Sequence, residues 1–327
     1  MARVLVAGRI HPDGMKILRD AGLEIDLIPD PGASLPPETL ALADALLIRY
    51  GVLHAADLGG AARLRVVSRH GVGCDNLPVA ELAARGVPVT IVGAVTAVSV
   101  AEQVLAMLLA LVKRIGAYDG AVRAGNWAIR DSLGVGELAG RRLLLLGFGR
   151  IGREVARRAR AFDMQVAVFD PFVPAAAITA EGYGVVADWR AELPRADALT
   201  LHLPLSPETR NMIGAAELAA LPPHAILINA ARGGLVDEAA LHAALAGRMA
   251  AGAAGLDCFA SEPVPPAHPL LALPNVLLSP HSAALTAEAA RRMGVVAAQN
   301  VVAGLAGQLD PGLVFNRKAL AEAGHGL

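Results

Sequence analysis

Two kinds of segment alternate along the chain. Short apolar runs rich in β-branched residues, such as RVLVA at 3–7, are followed by longer Ala-rich segments. This alternation is typical of βαβ units around a parallel sheet, whose strands are buried on both faces. It predicts one set of strands at 3–7, 24–28, 45–48, 65–68 and 88–92, and a second set at 142–147, 165–170, 198–203, 225–230, 252–257 and 275–280.

The segment between the two sets is predicted to be one long helix, Ser99–Ile115. Ser99 is followed three residues later by Glu102, which matches a capping box at the helix start. A second helix-like stretch at 285–305 carries the chain back toward its first part. We therefore predict a discontinuous first domain at 1–99 and 285–327, and a second domain at 100–284.

The composition excludes several classes of protein for this chain. The 327 residues are 54% hydrophobic and 18% charged, which suits two folded domains, each with its own core. A net charge of -1 gives no broad electrostatic footprint for nucleic acid or for an anionic membrane. The first apolar run is broken at Arg9, too early for a signal segment or a membrane span. Cys74 and Cys258 lie far apart, which argues against a disulfide framework or a zinc site and fits a reducing cytoplasm.

A glycine turn follows the first strand of the second set. Gly147, Gly149 and Gly152 have the G-x-G-x-x-G spacing between an apolar strand and a helix, where backbone amides can approach a pyrophosphate. Such turns also serve plain strand-to-helix packing. The next strand ends at Asp170, 18 residues after Gly152, near the spacing at which a carboxylate reaches ribose hydroxyls. A carboxylate would repel a 2′-phosphate, so NAD is favoured over NADP, unless Asp170 only caps the turn before Pro171.

Polar residues follow the last three predicted strands. Arg232, Asp257, Glu262 and His281 come at or just after carboxyl ends of strands, where open α/β sheets place ligands. A histidine at a strand end is often a surface residue or a satisfied polar group at the edge of a core. It is also the side chain most easily tuned for proton transfer.

The order of motifs carries a resemblance over nearly the whole chain. The segments DALLIRYGVL, RHGVGCDNLPV, SVAEQVLAMLLALVKR, GFGRIG, HLPLSPETRNMI, NAARGGLVDE, LDCFASEP and SPHSA together resemble the D-isomer-specific 2-hydroxyacid dehydrogenases. The branch they resemble most is that of 3-phosphoglycerate dehydrogenase and hydroxypyruvate reductase. The resemblance implies an α/β fold of two Rossmann-like domains with parallel sheets, one flavodoxin-like and one dinucleotide-binding, with the active site in the interdomain cleft.

The resemblance also implies a catalytic set: Arg232, Glu262 and His281. Reduction of a 2-oxo acid adds a hydride to the carbonyl carbon and a proton to its oxygen, so the site needs an acid of near-neutral pKa. His281 would be that acid, Glu262 would raise its pKa, and Arg232 would grip the substrate carboxylate. The related formate dehydrogenases carry glutamine in place of this glutamate, so Glu262 argues for acid/base chemistry.

Further contacts are implied on both the cofactor and the substrate side. Cys258 replaces an aliphatic residue and is interpreted as a small buried hydrophobe, while Asn76 is expected to hold its loop. His70 stands where the family often has a small residue, and Thr96 where it usually has asparagine. His202 is expected to act through its backbone and Asp257 to contact the nicotinamide side. The implied cofactor contacts are Gly147, Gly149, Arg150, Ile151, Gly152, Asp170, His202, Pro204, Thr209, Ala230, Arg232, Asp257 and His281, and the implied substrate contacts are Arg49, Val72, Gly73, Arg232 and His281.

The expectation is an NAD-dependent enzyme that interconverts a D-2-hydroxy acid and its 2-oxo acid, with a hydroxypyruvate, glyoxylate or 3-phosphoglycerate-like substrate. We expect a cytoplasmic homodimer, joined through the SVAEQVLAML helix (99–108) and the GNW loop (125–127), without a metal, nucleic acid or membrane partner. The regulatory domain of many phosphoglycerate dehydrogenases is expected to be absent. Two alternatives stay open: a phosphite-type anion dehydrogenase on the same fold, and an NAD(H)-sensing binding protein resembling a corepressor.

Overall fold

The computed structural model describes residues 1–30, 32, 35 and 37–326. Its elements alternate between strands and helices along most of the chain, as the hydrophobic pattern predicts. The strands are β1 (Arg3–Ala7), β2 (Glu24–Ile28), β3 (Ala45–Ile48), β4 (Val66–Arg69), β5 (Val89–Thr90), β6 (Arg142–Leu146), β7 (Gln165–Phe169), β8 (Gly184–Val185), β9 (Ala198–Leu201), β10 (Ile226–Asn229), β11 (Ala253–Leu256) and β12 (Val276–Leu278).

The helices fill the connections between these strands. They are α1 (Pro12–Asp20), α2 (Pro37–Leu42), α3 (Val79–Ala84), α4 (Ala97–Val112), α5 (Ile115–Arg123), α6 (Arg150–Ala161), α7 (Ala175–Ala180), α8 (Trp189–Glu192), α9 (Ala215–Ala220), α10 (Glu238–Ala246), α11 (Ala287–Ala306) and α12 (Arg317–Glu322). Among the described residues, none of these helices combines the length and the apolar character that crossing a bilayer requires.

The chain forms two compact units. Unit 1 comprises Met1–Thr96 and Leu285–Leu327, and unit 2 comprises Ala97–Ala284. The first break falls at the start of α4, and the second falls between β12 and α11. Unit 2 is therefore one continuous stretch of chain, whereas unit 1 is built from two.

Unit 1 is built on a five-stranded parallel sheet in the order β2-β1-β3-β4-β5, which is the flavodoxin-like order. One face packs against a cluster that includes Leu40 and Leu82. The other face is covered by Leu18 of α1 and by Met293 and Ala297 of α11. The returning helix α11 is therefore part of this core.

Unit 2 is built on a seven-stranded parallel sheet in the order β12-β11-β10-β9-β6-β7-β8. Met107 of α4 and Val155 of α6 cover one face, and Leu218 of α9 and Leu241 of α10 cover the other. The chain winds outward in one direction from β6 to β8 and in the other from β9 to β12, so the switch point lies between β6 and β9. Ligands of such sheets bind beyond the carboxyl ends of the strands at this point. The predicted fold class, α/β with two parallel sheets, is confirmed.

The predicted helix Ser99–Ile115 is wrong at both ends. The helix begins at Ala97 and holds Ser99 inside it, where the residue is only 4% exposed and cannot be the cap. It ends at Val112, whose carbonyl accepts a hydrogen bond from the Gly136 amide at 2.9 Å. Arg114 then takes the left-handed conformation, with φ of 48°, which breaks the helical path before α5 begins.

Candidate functional site

The turn between β6 and α6 brings the backbone of unit 2 unusually close to itself. Gly147 has φ of +97°, and a Cβ atom there would lie 2.5 Å from the carbonyl oxygen of His202. A Cβ atom on Gly152 would lie 2.0 Å from the carbonyl oxygen of Gly147. Both glycines are therefore required by the protein's own packing, as the alternative interpretation of the motif proposes.

Gly149 is different. Apart from its chain neighbours, no heavy atom of the described residues lies within 4 Å of the position of its Cβ atom. The residue is the N-cap of the 12-residue helix α6 and supplies no side-chain cap, so the N-cap leaves the first amides of the helix without a side-chain acceptor. Open space beside a positive helix end fits an anion, and the dinucleotide's pyrophosphate is the anion that the motif predicts.

The carboxylate of Asp170 accepts hydrogen bonds from the backbone of two turns. One oxygen of its carboxylate accepts a hydrogen bond from the Phe148 amide at 2.7 Å, and the other accepts from the amides of Phe172 at 2.8 Å and Val173 at 3.0 Å. The turn-capping interpretation therefore describes part of its role. Because a carboxylate accepts about four hydrogen bonds, it keeps acceptor capacity for a ribose hydroxyl.

The other predicted cofactor contacts follow β6, β9 and β10. The ring of His202 shares a hydrogen bond of 3.0 Å with Thr200 through Nε2, and burial lowers its pKa to about 3, so the ring is neutral. Thr209 shapes its own loop, because its hydroxyl donates to the Pro204 carbonyl at 2.8 Å. Arg150 and Ile151 lie on the first turn of α6, and Ala230 directly follows β10.

The predicted catalytic side chains meet beside three neighbouring strands. Parallel pairing aligns Asn229 of β10 with Leu256 of β11, and Leu256 with Leu278 of β12, so that the loops after these strands leave one edge of the sheet. The Nδ1 atom of His281 lies 2.7 Å from a carboxylate oxygen of Glu262. The other carboxylate oxygen accepts a hydrogen bond from the Phe259 amide at 2.9 Å, which fixes the orientation of Glu262.

Asp257 holds the histidine loop. It is only 1% exposed, and its carboxylate accepts hydrogen bonds from the Ser279 hydroxyl, from the Ser282 amide at 2.9 Å and from the Ala283 amide at 3.0 Å. Its carbonyl oxygen also accepts from the His281 amide at 2.8 Å. These contacts hold His281 at φ of 50°, a left-handed conformation that is uncommon for a residue other than glycine.

The His281 and Glu262 pair favours charge on both members. The hydrogen bond to Glu262 raises the pKa of His281 above its ordinary value, although burial opposes this shift. Burial also opposes ionisation of Glu262, but the hydrogen bonds from His281 and Phe259 and the charges of His281 and Arg232 outweigh it and lower the pKa of Glu262. A histidine poised in this way is suited to give up and recover a proton in acid/base catalysis.

Arg232 and Cys258 lie beside this pair. The guanidinium of Arg232 donates to the Ala231 carbonyl at 2.7 Å, while the Asn229 side chain donates to the carbonyl of Arg232 at 2.8 Å and shapes the loop after β10. Cys258 is 2% exposed, as expected for a small buried hydrophobe. Burial, followed by the negative charges of Asp257 and Glu262, raises the pKa of its thiol, so the thiol is protonated.

In unit 1, Arg49 and His70 follow the neighbouring strands β3 and β4. His70 is 4% exposed, and burial together with the charges of Arg49 and Arg69 lowers its pKa to about 4. The Nε2 atom of His70 and the Nε atom of Arg49 are both buried, and neither has a hydrogen-bond partner among the described residues. Buried polar atoms without partners are unusual, and a ligand is one explanation for them.

The remaining substrate-side residues belong to the loop after β4. Asn76 donates from its side-chain amide to the Gly51 carbonyl at 2.7 Å, so it ties this loop to the one after β3. Arg69 donates to the Gly73 carbonyl at 2.9 Å, and Val72 packs against the core of unit 1. Thr96 is 5% exposed at the end of the first part of unit 1.

Residues 105–283 match the model of the D-isomer specific 2-hydroxyacid dehydrogenase, NAD binding domain. The chain belongs to this family. Unit 2 is thus its nicotinamide dinucleotide-binding domain, in agreement with the open glycine turn.

Relatives extend the match to unit 1. The chain is 36% identical over 316 residues to a D-3-phosphoglycerate dehydrogenase of Methanocaldococcus jannaschii, covering 96% of this chain and 59% of that protein. It is also 36% identical over 324 residues to a glyoxylate reductase of Korarchaeum cryptofilum, covering 95% of each. The chain therefore spans about half to three fifths of the length of the phosphoglycerate dehydrogenases that it matches, and nearly all of the glyoxylate reductase.

Solved structures agree with the fold. An NADPH-dependent glyoxylate/hydroxypyruvate reductase of Sinorhizobium meliloti, solved with NADP and malonate, superposes with a TM-score of 0.80 at 30% identity. The match covers 92% of this chain and 93% of that one. Family members with this architecture thus include one that holds NADP.

The role of Asp257 in holding the loop that carries His281 could not be predicted from the resemblance to the family. The resemblance implies a contact between Asp257 and the cofactor, whereas the structure directs both carboxylate oxygens at the loop after β12. The one side-chain signal in the sequence is Ser279, whose hydroxyl donates to Asp257, since Ser282 and Ala283 donate through their backbone amides. Short polar side chains near a strand end often make such local hydrogen bonds.

Proposed function

We propose that this protein is an NAD-dependent oxidoreductase that interconverts a D-2-hydroxy acid and its 2-oxo acid. The observation that carries the proposal is the 2.7 Å contact between His281 and Glu262 on loops beside the dinucleotide-binding sheet. A solvent-facing histidine with a raised pKa and an oriented carboxylate partner is suited to general acid/base catalysis. Family membership supplies the reaction class.

In this proposal His281 protonates the substrate carbonyl oxygen during reduction and accepts the hydroxyl proton during oxidation. Glu262 stabilises the imidazolium form and sets which ring nitrogen faces the substrate, since Nδ1 is committed to the carboxylate. Arg232 binds the substrate carboxylate and polarises the carbonyl. A nicotinamide dinucleotide, when bound, would supply the hydride for reduction or accept it during oxidation.

We propose NAD as the cofactor. The pyrophosphate would lie against Gly149 and the first amides of α6, and the ribose hydroxyls would bind the free acceptor positions of Asp170. The negative charge of Asp170 disfavours a 2′-phosphate, and the residues that follow it, DPFVPAAA, include no arginine to pair with one. The Sinorhizobium relative binds NADP, so the preference is measured directly as the ratio of kcat/KM for NADH and NADPH.

On the substrate side, we propose that Arg49, Val72 and Gly73 of unit 1 bind the substrate, as the resemblance implies, and that His70 adds a contact to its tail. The buried Nε2 atom of His70 and the buried Nε atom of Arg49 can each still form a hydrogen bond with a ligand. A neutral imidazole beside an arginine suits a polar or anionic tail, as in hydroxypyruvate or phosphohydroxypyruvate. The named relatives act on substrates of both kinds, a phosphorylated one and a short one.

The test is NADH oxidation with glyoxylate, hydroxypyruvate, phosphohydroxypyruvate and pyruvate, using the wild type and His281→Ala. We expect turnover of at least one of these acids, and loss of about a hundredfold or more in kcat in the variant, since general acid catalysis contributes that much. NADH binding, followed by its fluorescence, should persist in the variant.

Turnover that survives in His281→Ala would overturn the catalytic assignment. A wild type that binds NADH and reduces none of the four acids would overturn the reaction. Oxidation of phosphite with NAD would then favour the anion dehydrogenase, and NADH-dependent capture of a peptide would favour the sensing protein.

A further inference from the structure

Three side chains at the His281 site offer different metal-ligand atoms. The thiol of Cys258, a carboxylate oxygen of Glu262 and a ring nitrogen of His281 all lie within 4.8 Å of one another. In the part of the chain that the structure describes, no other group of three or more such side chains meets this criterion. Thiolate, imidazole and carboxylate together suit Zn²⁺ or Co²⁺, whereas Mg²⁺ and Ca²⁺ prefer oxygen ligands alone.

We propose that Cys258, Glu262 and His281 bind a zinc-like divalent ion, and that this ion inhibits the enzyme reversibly by occupying the acid/base pair. The inhibitory consequence rests on the proposed function, whereas binding of the metal does not. The proposed acid/base chemistry of His281 and Glu262 does not need the thiol of Cys258.

The geometry requires a small adjustment. Ligand atoms of a tetrahedral zinc ion, bound at 2.0 to 2.3 Å, are separated from each other by roughly 3.4 Å. No separation in this group therefore needs to close by more than about 1.4 Å. The 2.7 Å between Nδ1 of His281 and Glu262 must open if both of these atoms bind the ion. The side chains of His281 and Glu262 are 45% and 36% exposed and have room to turn toward the buried Cys258, which is fixed by its packing.

The surrounding charges partly favour a cation. The carboxylates of Asp257 and Glu262 attract it, and the guanidinium of Arg232 opposes it. Binding must also displace the thiol proton and the proton shared by His281 and Glu262, and metal affinity falls by the cost of removing such protons. Three protein ligands leave the fourth position of the ion to water or substrate. We therefore expect binding at micromolar concentrations of the ion rather than the tight binding of a structural zinc site.

The direct test adds Co²⁺ to the cofactor-free protein and records its absorption spectrum. A Co²⁺ ion bound by a thiolate gives a charge-transfer band in the near ultraviolet, and we expect that band to saturate at one ion per chain. Cys74, the second buried cysteine, lies in unit 1 and supplies the matched control. The band should persist in Cys74→Ala and disappear in Cys258→Ala, with Cys258→Ser as a second variant if the alanine protein does not fold.

The functional test measures NADH oxidation against free Zn²⁺. The wild type and Cys74→Ala should be inhibited, and a chelator should restore their rates. Cys258→Ala, compared with its own rate without metal, should need about tenfold or more Zn²⁺ for half-inhibition, because even outer-shell changes weaken metal sites by this factor.

The outcomes separate the two proposals. Failure to reduce any 2-oxo acid would overturn the proposed function, and the Co²⁺ spectrum would still decide the metal site. A wild-type spectrum without the thiolate band, or a band that depends on Cys74 instead of Cys258, would overturn the metal site. Zinc inhibition that is equal in the wild type and Cys258→Ala would show that the ion acts elsewhere.

Discussion

Two glycines in the turn between β6 and α6 allow the stability of unit 2 and its binding of cofactor to be tested with separate variants. Gly149→Ala places a methyl group in open space at the N-terminus of α6, whereas Gly152→Ala places one 2.0 Å from the carbonyl oxygen of Gly147. The two variants carry the same chemical change, three residues apart in one motif. We expect opposite effects on binding and on stability.

The expected magnitudes follow from these surroundings. In an ordinary helix, replacing glycine by alanine stabilises the protein by about 1 kcal/mol. At Gly152 the contact is shorter by about 1.3 Å than a normal carbon–oxygen contact of about 3.3 Å. Overpacking of this kind costs about 1–3 kcal/mol or more, so Gly152→Ala should destabilise the protein instead of stabilising it. Gly149→Ala should cost about 1 kcal/mol or less, the difference between glycine and alanine at an N-cap.

Gly149→Ala, which should cost little stability, should weaken the binding of NADH. A methyl group between the helix amides and the pyrophosphate should weaken NADH binding by about tenfold or more, which corresponds to about 1.4 kcal/mol. Urea denaturation with a constant m value would give the change in unfolding free energy, and the fluorescence of bound NADH would give Kd. Cofactor-free protein is used for the denaturation, so that binding does not contribute to the measured stability.

Two results would refute this reasoning. A Gly152→Ala protein as stable as the wild type would show that the turn relaxes without strain. A Gly149→Ala protein that is stable and binds NADH with unchanged Kd would show that the open space beside α6 is not the pyrophosphate site.

Three further predictions concern the loops that carry the chemistry. Glu262→Gln should lower the pKa of His281, so the pH at which kcat/KM for reduction declines should move to lower pH; an unchanged profile would contradict the role of Glu262. The sign follows because reduction needs protonated His281 and is lost as pH rises through its pKa. Asp257→Ala removes the acceptor of the Ser282 and Ala283 amides and should lower the unfolding free energy by roughly 1–3 kcal/mol together with kcat; full activity would exclude the role of Asp257 in holding this loop. His70→Ala should raise KM for phosphohydroxypyruvate by about tenfold but leave KM for glyoxylate nearly unchanged, and an equal change for both would argue against a tail contact.

Much of the architecture could be predicted because buried parallel strands have a distinctive composition. The bounds of β1, β2 and β3 agree with the predicted ones residue for residue. The two-residue strand β8 could not be predicted, since both of its residues are exposed and carry no hydrophobic pattern. The start of α4 was missed because the sequence S-x-x-E resembles a capping box, whereas burial of Ser99 inside the helix is a tertiary effect.

The site was predictable where the chemistry depends on residue type and strand order. The loops after β10, β11 and β12 bring Arg232, Glu262 and His281 to one edge of the sheet, as parallel topology requires. The group of Cys258 with Glu262 and His281 was not predicted, because its members have no metal-binding spacing along the chain. The homodimer stays a prediction. Of the two surfaces expected to form it, the SVAEQVLAML segment of α4 is mostly buried within unit 2, whereas Trp127 and Leu133 in the GNW region are 65% and 85% exposed.

The return of the chain through α11 has a consequence for synthesis on the ribosome. Residues 97–284 form one continuous unit, so all of its strands are available once this stretch has emerged. The sheet of unit 1 emerges first, but Met293, Ala297 and Val301, which cover one of its faces, arrive some two hundred residues later. Domains usually fold in the order in which they are made. In this chain, the first-made sheet must wait with part of one apolar face uncovered, a state that chaperones recognise, until α11 has been made.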